Sequence, residues 1–340
     1  MTRSIQRLVW AGLVAGATGL SLAGPLDQRQ LPPEVRLVMH ADFDAMRGSD
    51  VGRFLIEHPK LGPMPLLERL RRDVGVDPVK DLHGVTMYTT SPCMAHTVAV
   101  LTCSSEGAKR FGERMAAGEL PDFEHGGQPD MEYWSWRRRE MRTFAAIHAG
   151  GLDGERRIIF ADSVAQLDAA VKQLDAAPTT PREEQPQPRV GSCVFVWIED
   201  FGDCDLWRPQ AQVLRHTSSV LIDVGLQARE EGSEEPAQVY GAAMVKADSE
   251  ESAALMRQVL AGTLAMYQLG VQGEPGGDDA THVLRQVQSE VRGKELHVTW
   301  APDGTRMMAA LQAIAEGNTS EKAAEARSAG PGDMVPRGTP

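Results

Sequence analysis

The chain lacks an excess of positive charge. Its 340 residues carry 47 acidic against 35 basic side chains, a formal net charge of −12, which argues against general electrostatic attachment to nucleic acid or anionic lipid. No apolar run after the N-terminal one approaches the length of a membrane span, so a polytopic membrane protein is excluded. The familiar catalytic signatures are missing too: there is no G-x-S-x-G elbow, no H-E-x-x-H, no P-loop and no G-x-G-x-x-G. Sites are recognised by geometry rather than by short patterns, so this lowers the standing of catalysis without removing it. Cysteine is scarce. Cys93, Cys103, Cys193 and Cys204 form no CxxC and no zinc-ribbon spacing, which favours structural disulfides or buried thiols over a redox or metal site and leaves three connectivities open.

Hydrophobic residues at 42% and charged residues at 24% match ordinary globular usage, so the chain can bury a sizeable core. Arg3 and Arg7 are the only charges among the first 23 residues, and an uncharged run from Leu8 to Leu22 ends in Ser21, Leu22, Ala23. A basic start, an apolar stretch of that length and a small-x-small ending predict a Sec-type signal peptide over 1–23, cleaved after Ala23. An uncleaved anchor is the minority reading, because Gly12, Gly16, Thr18 and Gly19 interrupt a run already short for a span. The localisation expected is periplasmic or extracellular.

Two stretches align at an offset of 144 residues. Ala95 to Gly118 and Val239 to Gly262 each read as a strand, a Ser-Glu helix start (Ser105-Glu106, Ser249-Glu250), an amphipathic helix and a terminal Ala-Gly. The flanks follow in order. RLVMHADFDAM (Arg36 to Met46) and CVFVWIEDFGDC (Cys193 to Cys204) are strands entering acidic turns, while Glu155 to Leu174 and Lys294 to Ile314 are each a strand, an Asp turn and a helix. The pattern predicts an α+β chain of two tandem copies of an antiparallel-sheet unit with helices packed on one face, resembling a split βαβ unit with extra strands. The first copy spans 34–175 and the second 191–316. Between them 176–190 is a proline-rich linker, and 317–340, poor in aliphatic residues, reads as a disordered tail. A single helical stretch is expected over Phe43 to His58, a strand over Val283 to Val291, and loop tips at Gly126-Gly127 and Gly276-Gly277.

Three clusters carry candidate chemistry. His40, Asp42 and Asp44 could present an imidazole and two carboxylates to a metal or a proton, although capping of the following helix by Asp42 or Asp44 is the plainer reading. Glu199, Asp200, Asp203 and Asp205 form an acidic loop without the register of an EF-hand, and a solvated turn accounts for it better. Arg137, Arg138, Arg139 and Arg142 follow Trp134 and Trp136, as a polyanion or glycan surface would have them; a hairpin with packed aromatics and solvated arginines accounts for them better.

The segment Gly75-Val76-Asp77-Pro78-Val79-Lys80-Asp81-Leu82, leading into the Val85 strand, resembles a phrase of turn chemistry in uncharacterised secreted bacterial proteins of similar layout, over about Val35 to Ala117. The resemblance implies a bacterial exported protein and brings no activity, cofactor or site residue. The functional expectation is a non-catalytic binding or envelope-associated scaffold with a protein or glycan partner, no nucleic acid and no cofactor. The rival is a secreted enzyme, metal-dependent, using His40, Asp42 and Asp44.

Overall fold

A computed structural model describes residues 26–58, 70–91, 96–128, 131–138, 140–149, 155–176, 185–200, 215–226, 239–273 and 276–328. The expected signal segment, Cys93, Arg139, most of the proline-rich linker, and Asp203, Cys204 and Asp205 lie outside the described residues.

In chain order the strands are β1 (Leu37–Asp42), β2 (Leu82–Thr89), β3 (Val98–Cys103), β4 (Glu124–Gln128), β5 (Met131–Arg138), β6 (Met141–His148), β7 (Arg156–Ala161), β8 (Ser192–Glu199), β9 (Thr217–Leu226), β10 (Val239–Ala247), β11 (Gln288–Arg292) and β12 (Glu295–Trp300). The helices are α1 (Phe43–Arg47), α2 (Asp50–Glu57), α3 (Ser105–Ala116), α4 (Val164–Asp175), α5 (Glu250–Val271), α6 (Gly277–Arg285) and α7 (Gly304–Ser328). Among the described residues all twelve strands join one sheet in the order β11-β12-β10-β9-β8-β1-β2-β3-β7-β6-β5-β4. Every pairing between neighbours is antiparallel. The mixed α+β class with a large antiparallel sheet is therefore present, and the β1–β8 pair joins its two halves, with Leu37 opposite Ile198 and Ala41 opposite Val194.

Strand alternation sorts side chains onto two faces. The row Ala41, Val85, Leu101, Ile158 and Ile147 lies on the first face, and the adjacent row His40, Thr86, Val100, Ile159 and Ala146 on the second. On the first face Phe43 and Met46 of α1, Leu55 and Ile56 of α2, and Phe111 and Met115 of α3 pack over Leu101, Cys103 and Ile158. The same core runs on to Trp300, Met307 and Leu311 in the second half. Phe111 is fully buried and meets Trp134 and Phe160 edge-on at 5.7 and 5.9 Å, and its burial alone contributes about 2–3 kcal/mol. On the second face Leu167 and Ala170 of α4 cover Val98, Val100, Ile159 and Ala161, with Leu31, Val35, Phe195 and Trp197 in the same cluster. Helices thus pack on both faces of the sheet, which corrects the expectation of one. A strand buried on both sides shows continuous apolar runs, as in Val98 to Leu101 and Ile158 to Phe160, and such runs give no hint of which face a helix covers.

Local chemistry sets the helix starts. Ser49, Ser104, Ser163 and Ser249 each accept a hydrogen bond at Oγ from the amide three residues on, at 2.8, 3.1, 3.3 and 3.1 Å. Ser49 splits the stretch expected to be one helix into α1 and α2, and Ser104 caps α3, which starts at Ser105 as expected. The strand expected over Val283 to Val291 is instead the end of α6 followed by β11. Asp278 and Asp279 favour the helix N-terminus, Gly276 enters it with φ of +74°, and Val283 and Leu284 are buried. Gly126 and Gly127 lie on edge strand β4, not at a loop tip. A side chain at Gly126 would meet the Tyr133 ring at 2.4 Å, which explains the glycine there. Helix α7 continues to Ser328 through Glu321-Lys322-Ala323-Ala324-Glu325-Ala326-Arg327, good helix formers all, so the tail expected to be disordered from 317 is helical over its first half. The described end of the linker is tied down: Gln28 Nε2 donates to the Pro186 carbonyl at 2.6 Å and the Arg189 amide to Asp223 at 2.9 Å. Among the described residues no helix is long and apolar enough to cross a membrane.

Candidate functional site

The β1–α1 junction lies beside the seam between the halves, where β1 pairs with both β2 and β8. His40, Asp42 and Asp44 leave it in three directions. His40 is buried on the second face, flanked by Thr86 and Phe195 on the neighbouring strands, with Nδ1 2.9 Å from the Thr86 hydroxyl. Asp42 caps α1, accepting from the Ala45 amide at 2.8 Å. Burial pushes its carboxyl up to about 6, the nearby Asp44 charge adds to the rise, and the amides of Ala45 and Asp44 and the Arg47 charge oppose it. Asp44 sits inside α1, accepts from the Arg47 guanidinium and holds His83 Nδ1 at 2.9 Å. That bond raises the His83 pKa against the opposing effect of burial.

Arg47 turns this junction into a clamp. Besides Asp44, it donates to the carbonyls of Leu82 at 2.7 Å and Val79 at 3.2 Å, so it fastens α1 to the Gly75–Leu82 turn. The same turn is gripped from α3. Asp81, almost wholly buried, accepts from the Asp77 amide at 2.7 Å and the Ser104 hydroxyl at 3.3 Å, and pairs with Arg110 at 2.5 Å. Burial alone would raise the Asp81 pKa, but the hydrogen bonds from Arg110 and the Asp77 amide overcome it and hold the carboxyl below its ordinary value. Arg47, Asp81, His83 and Arg110 escaped the sequence reading. The available signals were Arg47 three residues after Asp44 and Arg110 four after Glu106, spacings at which helix side chains meet.

The remaining candidates separate. Trp134 and Trp136 pack toward the first-face core, where Trp134 meets Phe111 and Trp136 meets Phe160 edge-on at 6.3 Å. Arg137 and Arg142 pair with each other across β5 and β6 on the other face and are matched by Asp122 and Glu124. Arg137 and Arg142 therefore share no face of the sheet with the indoles. Asp200, with φ of +53°, pairs with Arg36. Cys103 and Cys193 are free and buried, and burial pushes Cys103 up to about 12 and raises Cys193 further, so neither offers a thiolate at neutral pH. Among the described residues no group of three His, Cys, Asp or Glu side chains is placed to hold a metal ion.

Among the described residues a concavity spans the two halves. A shallow groove of about 400 Å³ lies between α2 and α7, lined by Asp50, Arg53, Phe54, Glu57, Met308 and Gln312. Phe54 forms an apolar patch stacked on His58 at 4.1 Å. No protein-family model, curated protein or solved structure matches the chain.

Proposed function

We propose that the chain is an exported binding or envelope-associated scaffold, built from two tandem copies of one antiparallel unit, and that it takes a protein or glycan partner rather than catalysing a reaction. The observation that carries this reading is the use made of its buried ionisable groups. Asp42 caps a helix, Asp44 and Asp81 anchor Arg47 and Arg110, and His40 bonds a cross-strand threonine. These are tasks of a framework, in which such matched ionisable groups hold the strand–helix junctions in one geometry.

The tandem arrangement draws support from strand order. Outward from the β1–β8 seam the two directions read β1-β2-β3-β7-β6 and β8-β9-β10-β12-β11, in each case the first, second, third, last and next-to-last strands of that half. Cys103 and Ala247 end equivalent strands 144 residues apart, while the caps Ser104 and Ser249 are 145 apart, because Asp248 stands between strand end and cap in the second half. Ala108 and Phe111 on α3 then match Ala253 and Met256 on α5 as the buried positions. The copies differ at their closing helices, since α4 covers the second face and α7 the first. Export rests on the sequence of residues 1–23, and N-terminal sequencing of material secreted by the native host tests it, with a start at Gly24 expected.

The rival reading is an enzyme at His40, Asp42 and Asp44, favoured by the raised pKa of Asp42, since such shifts collect at working sites. Elemental analysis of the exported chain separates the two. The scaffold reading predicts no stoichiometric, tightly held metal; one metal per chain, lost on Asp44→Asn without loss of fold, would move the assignment to the enzyme.

A further inference from the structure

Helix α5 presents an apolar stripe away from the sheet. Leu255, Val259, Met266 and Leu269 are exposed by 50%, 47%, 67% and 68%, while Ala253 and Met256 face the core from the opposite side. With Gly262 the stripe has spacings of four, three, four and three residues, the seam of a helix pair. No charged residue occurs between Arg257 and Glu274. The corresponding helix of the first half, α3, is 12 residues long against 22 for α5, so Gly262, Met266 and Leu269 all belong to the extra length.

Two glycines in that extension have no reason among the described residues. A side chain at Gly262 or Gly270 would meet nothing within 4 Å, and neither has the positive φ that requires glycine. Glycine in a helix interior weakens the helix, so its presence on an exposed, uncharged face suits the close approach of another backbone. The stripe is also nearly symmetric about Gly262, with Leu255 and Leu269 seven residues to either side and Val259 and Met266 three and four away. A face of that kind is complementary to itself when turned by a two-fold axis.

We propose that α5 pairs antiparallel with α5 of a second copy of this chain, with Gly262 against Gly262 at the axis, Leu255 against Leu269 and Val259 against Met266. Antiparallel pairing opposes the helix dipoles favourably and keeps Glu250 and Glu251 of one chain away from the same residues of the other. From Leu255 to Leu269 the stripe is about 21 Å long at 1.5 Å per residue. One helix wide, it falls short of the ~800 Å² per partner of a standard interface, so the dimer is weak and concentration-dependent.

Sedimentation equilibrium of the whole exported chain over about 1 to 100 µM should show the weight-average mass rising toward twice the monomer, as a micromolar Kd requires. Val259→Glu with Met266→Glu, both at exposed positions, should keep the fold by circular dichroism and remain monomeric throughout. Geometry is read by crosslinking in a chain with Cys93→Ser and Cys204→Ser. With a short bifunctional thiol reagent Gly262→Cys should link to itself, while Leu255→Cys should link to Leu269→Cys in mixtures at least tenfold faster than to itself. A chain that stays monomeric at 100 µM overturns the proposal, whether or not another protein or a lipid vesicle then protects the stripe. Self-linking of Leu255→Cys as fast as the mixed product, which marks parallel pairing, overturns it as well.

Discussion

Replacing Asp42 by asparagine should make the protein more stable at neutral pH. Asp42 is 6% exposed, and burial holds its carboxyl near 6 in the fold against an ordinary value of 3.8. Below 3.8 both folded and unfolded chains bind the proton and the group is neutral in each. Between 3.8 and 6 the folded chain keeps a proton that the unfolded chain has lost, so stability falls with rising pH by about 1.4 kcal/mol per unit. Above 6 the accumulated loss is about 3 kcal/mol. Asparagine preserves the side-chain oxygen that accepts from the Ala45 amide and cannot ionise, so it escapes this loss at the expense of a small change in capping strength. Urea unfolding of both proteins between pH 4 and 7.5 isolates the effect, because titrating groups that do not feel the Asp42 charge cancel in the difference. The stability of Asp42→Asn relative to wild type should climb by roughly 2–3 kcal/mol across that range. Asp42→Ala should follow the same pH trend about 1 kcal/mol lower, since it removes the cap. If the difference is flat, or if Asp42→Asn is the less stable protein at pH 7.5, the carboxylate is favoured by its surroundings and the account of this junction is wrong.

Phe111→Ala should destabilise by about 3–5 kcal/mol in denaturant unfolding, because the ring is fully buried between Trp134 and Phe160; a loss below about 1 kcal/mol would mean the α3 face is not packed as described. Asp81→Ala should cost about 2–3 kcal/mol at pH 7, less than a fully buried pair because Arg110 reaches solvent. The Asp81 pKa is lowered in the fold, so its contribution is present above the ordinary 3.8 and is lost as pH falls through the folded value; an undiminished difference at pH 2.5 would contradict this. Cys103 and Cys193 should resist alkylation in the native protein and react on unfolding, as read by peptide mass mapping, whereas rapid native labelling of both would place them outside the core.

Strands with apolar runs or apolar–polar alternation were legible in the sequence. Arg156–Ala161 and Glu295–Trp300 have the bounds expected of them, because Gly, Pro or Asp turns flank them closely. Helix existence was legible from serine-led starts and three- and four-residue spacing, and α3 begins at Ser105 as expected. The strand expected at Val283 failed because a short apolar run fits strand and helix alike, and the deciding features are the acidic first turn and the αL glycine before it. At the candidate site the sequence offered Asp42 or Asp44 as a cap, and the fold uses Asp42. The sequence hid the Arg47 and Arg110 clamps, since their partners at Val79, Asp81 and Leu82 come from a turn that is brought near only by the fold. The α2–α7 groove was illegible for the same reason, its walls lying some 250 residues apart in the chain.

Hydrogen exchange at the β1–β8 seam tests the account's central claim, that both halves form one framework with His40, Asp42 and Asp44 at its middle. Amides of Leu37–Asp42 and Ser192–Glu199 are paired on both sides in the sheet and flanked by core on both faces. They should therefore be among the slowest in the molecule, opening only with global unfolding, while edge strands β4 and β11 exchange by local fraying. Exchange of the two central segments as fast as the edges, with slow amides confined to the interior of each half, would show two separate units and contradict the framework reading.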